Sequence, residues 1–189
     1  MTASHALIPF DHAPLSFQVT ARAERQGSIL SLTFSLTDTN HDVIWPEQHE
    51  PMQQDYLWES TCFEAFIKAA NRTDYFELNL APSLAWNLYH FDHYRSPKQM
   101  PPRRLPAAKL SAFSIEGHSL RVSLDLGLLN LTHQEIHLGL TAVIKTPSAR
   151  HYLAIHHPAA QADFHDARGW TITLLPDARF PESVVDNKA

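Results

Sequence analysis

Hydrophobic and polar residues alternate with a period of two through most of the chain, the mark of strands that bury one face. Leu15, Phe17, Val19 and Ala21 share one side of the run from Leu15 to Ala23, and Leu30, Leu32, Phe34 and Leu36 share one side of Ile29 to Leu36. The two runs predict a hairpin around Gln26-Gly27. The same signature recurs at Trp58 to Lys68, Tyr75 to Leu80, Trp86 to Phe91, Ala112 to Ile115, Leu120 to Leu126, Ile136 to Lys145, Tyr152 to His156 and Trp170 to Leu174. About ten antiparallel strands predict an all-β fold, a jelly-roll-like β-sandwich, as one domain over residues 1–189. Helix is expected only as one turn near Leu126 to Leu131, since the other segments are too short or too rich in β-branched and aromatic residues. Ser96 to Ala108 holds Pro97, Pro101, Pro102 and Pro106 and predicts an extended surface loop inside that domain.

The centre of the chain carries the candidate chemistry. Alternation puts Thr61, Phe63, Ala65 and Ile67 on one side, with Trp58, Ser60, Cys62, Glu64 and Phe66 on the other. The next run puts Phe76, Leu78 and Leu80 inward and Tyr75, Glu77 and Asn79 opposite. With a turn at Asn71 to Thr73, an antiparallel hairpin sets Glu64 beside Asn79 and Phe66 beside Glu77. Two carboxylates, an amide and aromatic rings then share a face, with Trp86 and Tyr89 close enough in sequence to extend it. Flat rings for the apolar face of a pyranose, with acceptors and amides for its hydroxyls, are what a sugar site requires. Two other readings use the same residues: solvent-facing positions of an ordinary antiparallel sheet, or a glycosidase acid and nucleophile. Phe63, Ile67, Leu78, Leu80, Leu138, Leu140 and Ile144 are the expected core.

Charge and composition narrow the partners. The sum of 15 Lys and Arg against 20 Asp and Glu is −5, and no basic block offsets it, which argues against a grip on nucleic acid. A single cysteine, Cys62, excludes a disulfide framework within the chain and fits a reducing compartment. His5, Asp11 and His12 interrupt the N-terminal stretch where a signal peptide needs an apolar run, and no window approaches the roughly 18 apolar residues of a spanning helix. A cytoplasmic protein without a membrane partner is expected. The cluster from Arg150 to Pro158 and Asp163 to Asp166 offers His156, Asp163 and His165 as candidate metal ligands. Its spacing fits no standard zinc signature, and strand-end and turn residues bonded to the backbone are the preferred reading. No phosphate-cradling glycine loop or nucleophile elbow is present, and no cofactor is expected.

The segments Leu57 to Phe66, Tyr75 to Pro82 and Trp86 to Arg95 resemble the DOMON-like proteins related to carbohydrate-binding module family nine. Leu138 to Ile144 and Tyr152 to His165 resemble the second half of the same family. The resemblance implies a β-sandwich that holds its ligand on one concave sheet face, a sugar in the carbohydrate-binding branch and haem in the cytochrome branch. Phe76 and Leu153 stand where that subgroup often has tryptophan, and Lys145 where it often has an acidic residue. Haem needs an axial pair such as Met and His, and Met52 and Met100 fall in apparent loops. The leading expectation is a non-catalytic domain binding a carbohydrate or other polar small molecule through Trp58, Glu64, Glu77, Asn79, Trp86, Tyr89 and Arg95. The alternatives are an enzyme using Glu64 and Glu77 or the His151 to His165 cluster, and a haem-binding or protein-interaction domain. Oligomeric state is not specified by any of these features.

Overall fold

The computed structural model describes residues 3–12, 14–106 and 108–177. Among them thirteen strands form two sheets: β1 (Ser4–Ala6), β2 (Ile8–Pro9), β3 (Phe17–Gln26), β4 (Ile29–Asp38), β5 (Met52–Gln53), β6 (Cys62–Ala69), β7 (Tyr75–Leu80), β8 (Ala85–Phe91), β9 (Ala112–Glu116), β10 (Ser119–Asp125), β11 (Ile136–Lys145), β12 (Arg150–Ala154) and β13 (Ile172–Leu174). The smaller sheet runs β1-β3-β4-β10-β9. The larger runs β2-β12-β11-β6-β7-β8-β5, with β13 also paired to β11. Every pairing is antiparallel except β5 on β8. The chain is therefore the all-β sandwich that the alternation predicts, with three very short strands added.

The two sheets bury different amounts of themselves. In the smaller one, β3 and β4 alternate buried and open positions, as a sheet with one wet face must. The hairpin between them turns at Gly27, whose φ of 60° suits glycine. In the larger one, all six residues of β7 and seven of the eight in β6 are buried, so both faces are covered. Its inner face meets the smaller sheet. Leu30, Phe34, Leu120 and Leu124 pack there against Phe63, Ile67, Leu78, Leu80, Leu138, Leu140 and Ile144, all at 0% exposure, so every predicted core residue lies in the core.

One segment departs from the sequence reading, and two others add detail to it. Trp58 belongs to a 3₁₀ turn, Leu57–Glu59, entered through Tyr56 at φ 62°, and the strand begins only at Cys62. The helical turn expected near Leu126 is also 3₁₀, Leu126–Leu129, capped by the Asp125 side chain on Gly127 N–H. The proline-rich segment is an irregular, largely exposed stretch tied to the sheet at one edge. Arg104 bridges to Tyr89, His90 N–H donates to Arg103 O, and Leu105 N–H donates to Leu88 O, so the segment lies along the outer edge of β8. Ala107, within the expected loop, lies outside the described residues.

Truncating Phe63 or Leu78 to alanine should lower stability by roughly 2–5 kcal/mol, since each leaves a cavity between the sheets. Chemical denaturation measures this, and unchanged midpoints would mean that neither side chain is buried in the sandwich.

Candidate functional site

The outer face of the larger sheet carries the chemistry. In the β6–β7 pairing Glu64 lies opposite Asn79 and Phe66 opposite Glu77, the register the sequence implies. On β8 the matching outward positions are Asn87, Tyr89 and Phe91, opposite Asn79, Glu77 and Tyr75. Glu64 and Glu77 are only 3% and 5% exposed. Asn79 Nδ2 donates to Glu77 Oε1 at 2.8 Å, and Thr141 Oγ1 donates to Glu64 Oε2 at 3.4 Å. Among the described residues neither carboxyl has a lysine or arginine ion-pair partner.

Burial without a counter-charge favours the neutral acid. Glu77 is raised to about 7 by desolvation, against the pull of the Asn79 amide and Arg95. Desolvation raises Glu64 well above the usual range, and the charge of Glu77 raises it further. Asn79 Oδ1 is buried with no hydrogen-bond partner among the described residues. Protonated Glu64, directly across the strand pair, is a donor on the same face.

One wall of the site comes from the segment after β12. His165 Nε2 sits 3.6 Å from Glu77 Oε2, but the two do not make an ion pair. Desolvation, and then the Arg95 charge, lower His165 to about 3, so the imidazole is neutral. The Arg95 backbone N–H donates to Tyr75 Oη, and that hydroxyl lies within hydrogen-bond distance of His165 Nδ1, at 2.7 Å. Asp163 fixes the outer end, accepting from Tyr94 Oη at 2.6 Å and from Arg95 at 2.8 Å. The segment is seated through Trp170, whose indole N–H donates to Phe164 O and whose ring stacks on Phe66. That seat needs Gly139: a Cβ there would lie 2.2 Å from Trp170 Cδ1.

The opposite wall is built on Asp55. Its carboxylate accepts from Tyr89 Oη, Asn87 Nδ2 and the Arg104 guanidinium, and the Arg104 hydrogen bonds chiefly hold it below the usual carboxylate range. Trp58 packs edge-on against Tyr89 above this cluster. Between the walls lies a cavity of about 500 Å³, with Glu64, Phe66, Glu77 and Phe91 in its lining, Trp58 and His165 at the sides, and Arg95, Lys98, Arg150 and Tyr152 also bordering it.

The structure brings together four of the seven sequence candidates, Trp58, Glu64, Glu77 and Arg95, in the lining of this cavity. Asn79 and Tyr89 stand on the same sheet face but are fully buried and reach the cavity only through Glu77 and Trp58. Trp86 is a correction: it lies opposite Leu80 and joins the core between the sheets. Positions 86 and 89 differ by an odd number, so one strand cannot present both on one face. Of the metal candidates, His165 and Asp163 are engaged as above, while His156 is exposed and apart from the cavity. Among the described residues no three His, Cys, Asp or Glu side chains converge as a metal site. Phe91, Met100, Pro102, Tyr152 and Phe164 line the cavity unforeseen. The outward parity of Phe91 and Tyr152 was available in the sequence, but the contributions of the two long connections were not.

No family model matches the chain, and no curated protein matches it. Solved structures do share its fold. A candidate carbohydrate-binding protein from Bacteroides uniformis ATCC 8492 superposes with a TM-score of 0.62 at 12% identity, over 89% of this chain and 84% of that one. A carbohydrate-binding module family 9 domain from Caldicellulosiruptor kristjanssonii, in complex with cellotriose, gives a TM-score of 0.55 at 9% identity, over 98% and 88%. At such identities the likeness is one of fold: the chain has the sandwich of a family 9 module.

Two predictions test the site's electrostatics and its seat. A carboxyl raised from 4.5 to about 7 binds its proton more tightly folded than unfolded. Stability should therefore fall as pH rises from about 4.5 to 7, by up to about 1.4 kcal/mol per pH unit for each such group. Denaturation of Glu77→Gln across that range should give a shallower slope, and an equally steep one would place Glu77 in water. Gly139→Ala should lower the melting temperature and raise exposure of Trp170, read as red-shifted fluorescence; an unshifted spectrum would mean that Trp170 does not rest on that backbone.

Proposed function

We propose that the chain is a non-catalytic carbohydrate-binding domain of the DOMON-like class, a single cytoplasmic unit over residues 1–189, which holds its sugar over Glu64 and Glu77. One observation carries this reading: a preformed cavity of about 500 Å³ joins two buried carboxyls to the rings of Trp58, Phe66, Phe91, Tyr152 and Phe164. Its size falls within the roughly 300–1,000 Å³ of small-molecule sites. Aromatic faces suit the C–H surface of a pyranose, while a neutral carboxyl both donates and accepts, as a hydroxyl partner should. Two solved structures of the same sandwich are themselves described as carbohydrate-binding, one in complex with cellotriose. A lone, buried Cys62 supports the compartment.

A catalytic reading has one observation in its favour, since a carboxyl raised to about 7 is suited to general acid-base work. Glu77→Gln separates the two classes. In a binding domain it weakens a sugar found by calorimetric screening, and no glycoside is hydrolysed by the parent. Hydrolysis by the parent that disappears in the variant would replace binding by catalysis.

Trp58→Ala should weaken the same sugar about tenfold, a loss of roughly 1.4 kcal/mol that matches one lost aromatic contact. Trp86→Ala should lower stability while sparing affinity in the folded fraction. Reversed effects would move the site to the other face of β8.

A further inference from the structure

We propose that the saccharide taken by this cavity carries an anionic substituent, which Lys145 and Arg150 hold at its rim; the inference rests on the sugar-binding reading above. Lys145 and Arg150 are directly opposed across the β11–β12 pair and point outward with Val143 and Tyr152, which line the cavity. Like charges facing each other across two strands destabilise a sheet. This pair is placed so in a chain of net charge −5, and among the described residues neither cation has an anionic partner. Arg95, which also borders the cavity, is by contrast paired with Asp163.

Position turns the unpaired charge into a subsite. Arg150 borders both the main cavity and a second depression of about 450 Å³, so its side chain stands between the two. Lys145 lies in that depression beside the turn from Thr146 to Ala149, where the Thr146 and Ser148 hydroxyls sit 3.3 Å apart. Glu59 also borders it, and among the described residues it forms no ion pair with either cation. Lys98, exposed and unpaired among the described residues, borders the main cavity. A sugar ring over the carboxyls can therefore extend a negative group, or its next acidic residue, toward the two opposed cations. The carboxyls below do not oppose this arrangement, since burial favours their neutral forms. Arginine and lysine together suit a carboxylate, sulfate or phosphate.

The test is calorimetry of the full chain with trigalacturonate, glucose 6-phosphate and cellotriose, at low and moderate salt. An anionic sugar should bind at least tenfold more tightly than cellotriose and weaken with salt. Trigalacturonate and glucose 6-phosphate separate a carboxylate from a phosphate as the recognised group. The Lys145→Gln/Arg150→Gln double variant should lose that advantage with its melting temperature unchanged or raised. Three outcomes overturn the proposal: cellotriose binding as tightly as the acids, anionic binding that survives the double variant, or a melting temperature lowered by several degrees, which would make the pair structural. Cellotriose binding that depends on Glu77 would leave the sugar-binding reading standing while the anionic one falls. No binding in either series would defeat both.

Discussion

Register between β6 and β7 is the constraint on which the site depends. The inner positions Phe63, Ala65 and Ile67 face Leu80, Leu78 and Phe76, and all six meet the apolar side of the other sheet. A slip of one residue would turn Glu64 and Glu77 into that interior and expose the large apolar side chains, so the alternating pattern admits one pairing. The packing that stabilises the sandwich thus also aligns the two carboxyls, Asn79 and Phe66 on its outside. No interaction between the polar residues themselves is needed to bring them together.

Placement alone does not give these groups unusual protonation. That comes from covering a sheet face that would otherwise be wet. Trp58, the proline-rich segment and the stretch from His156 to Trp170 form a partial third layer over the larger sheet, and this layer withdraws solvent from Glu64, Glu77 and His165 together. In water the carboxyls would be charged and the imidazole partly so; under the cover each is driven toward neutrality. The result is a polar surface with little fixed charge, rich in groups that can donate or accept. Its formal charges are displaced to the rim, where Arg95 is bound to Asp163 and Arg104 to Asp55.

What could be read from the sequence follows the range of the interactions. The Glu64–Asn79 and Phe66–Glu77 neighbours were legible because pairing in a short hairpin depends on local alternation and a turn. Trp86 was misplaced by proximity in sequence, although its parity with Leu88 assigns it to the core. Trp58 was read as strand because nothing local announced the left-handed Tyr56 that ends the extended run before it. His165 was visible only as one of 13 histidines. Its place over Glu77 depends on Trp170 finding a bare backbone on β11, a contact that no periodicity encodes. The proline-rich segment presents the same difficulty, since its prolines report an extended chain but not the β8 edge along which it lies.

The seat of Trp170 on Gly139 has an architectural consequence. One wall of the cavity is attached to the sheet at two places, by an indole resting on a bare spot of β11 and by Asp163 and His165 bonded to Tyr94, Arg95 and Tyr75. The residues between Pro158 and Asp163 need not obey strand alternation. A designer can treat that short stretch as an exchangeable cassette, rewriting it while the sandwich beneath keeps its register, as long as the tryptophan and its glycine are kept together.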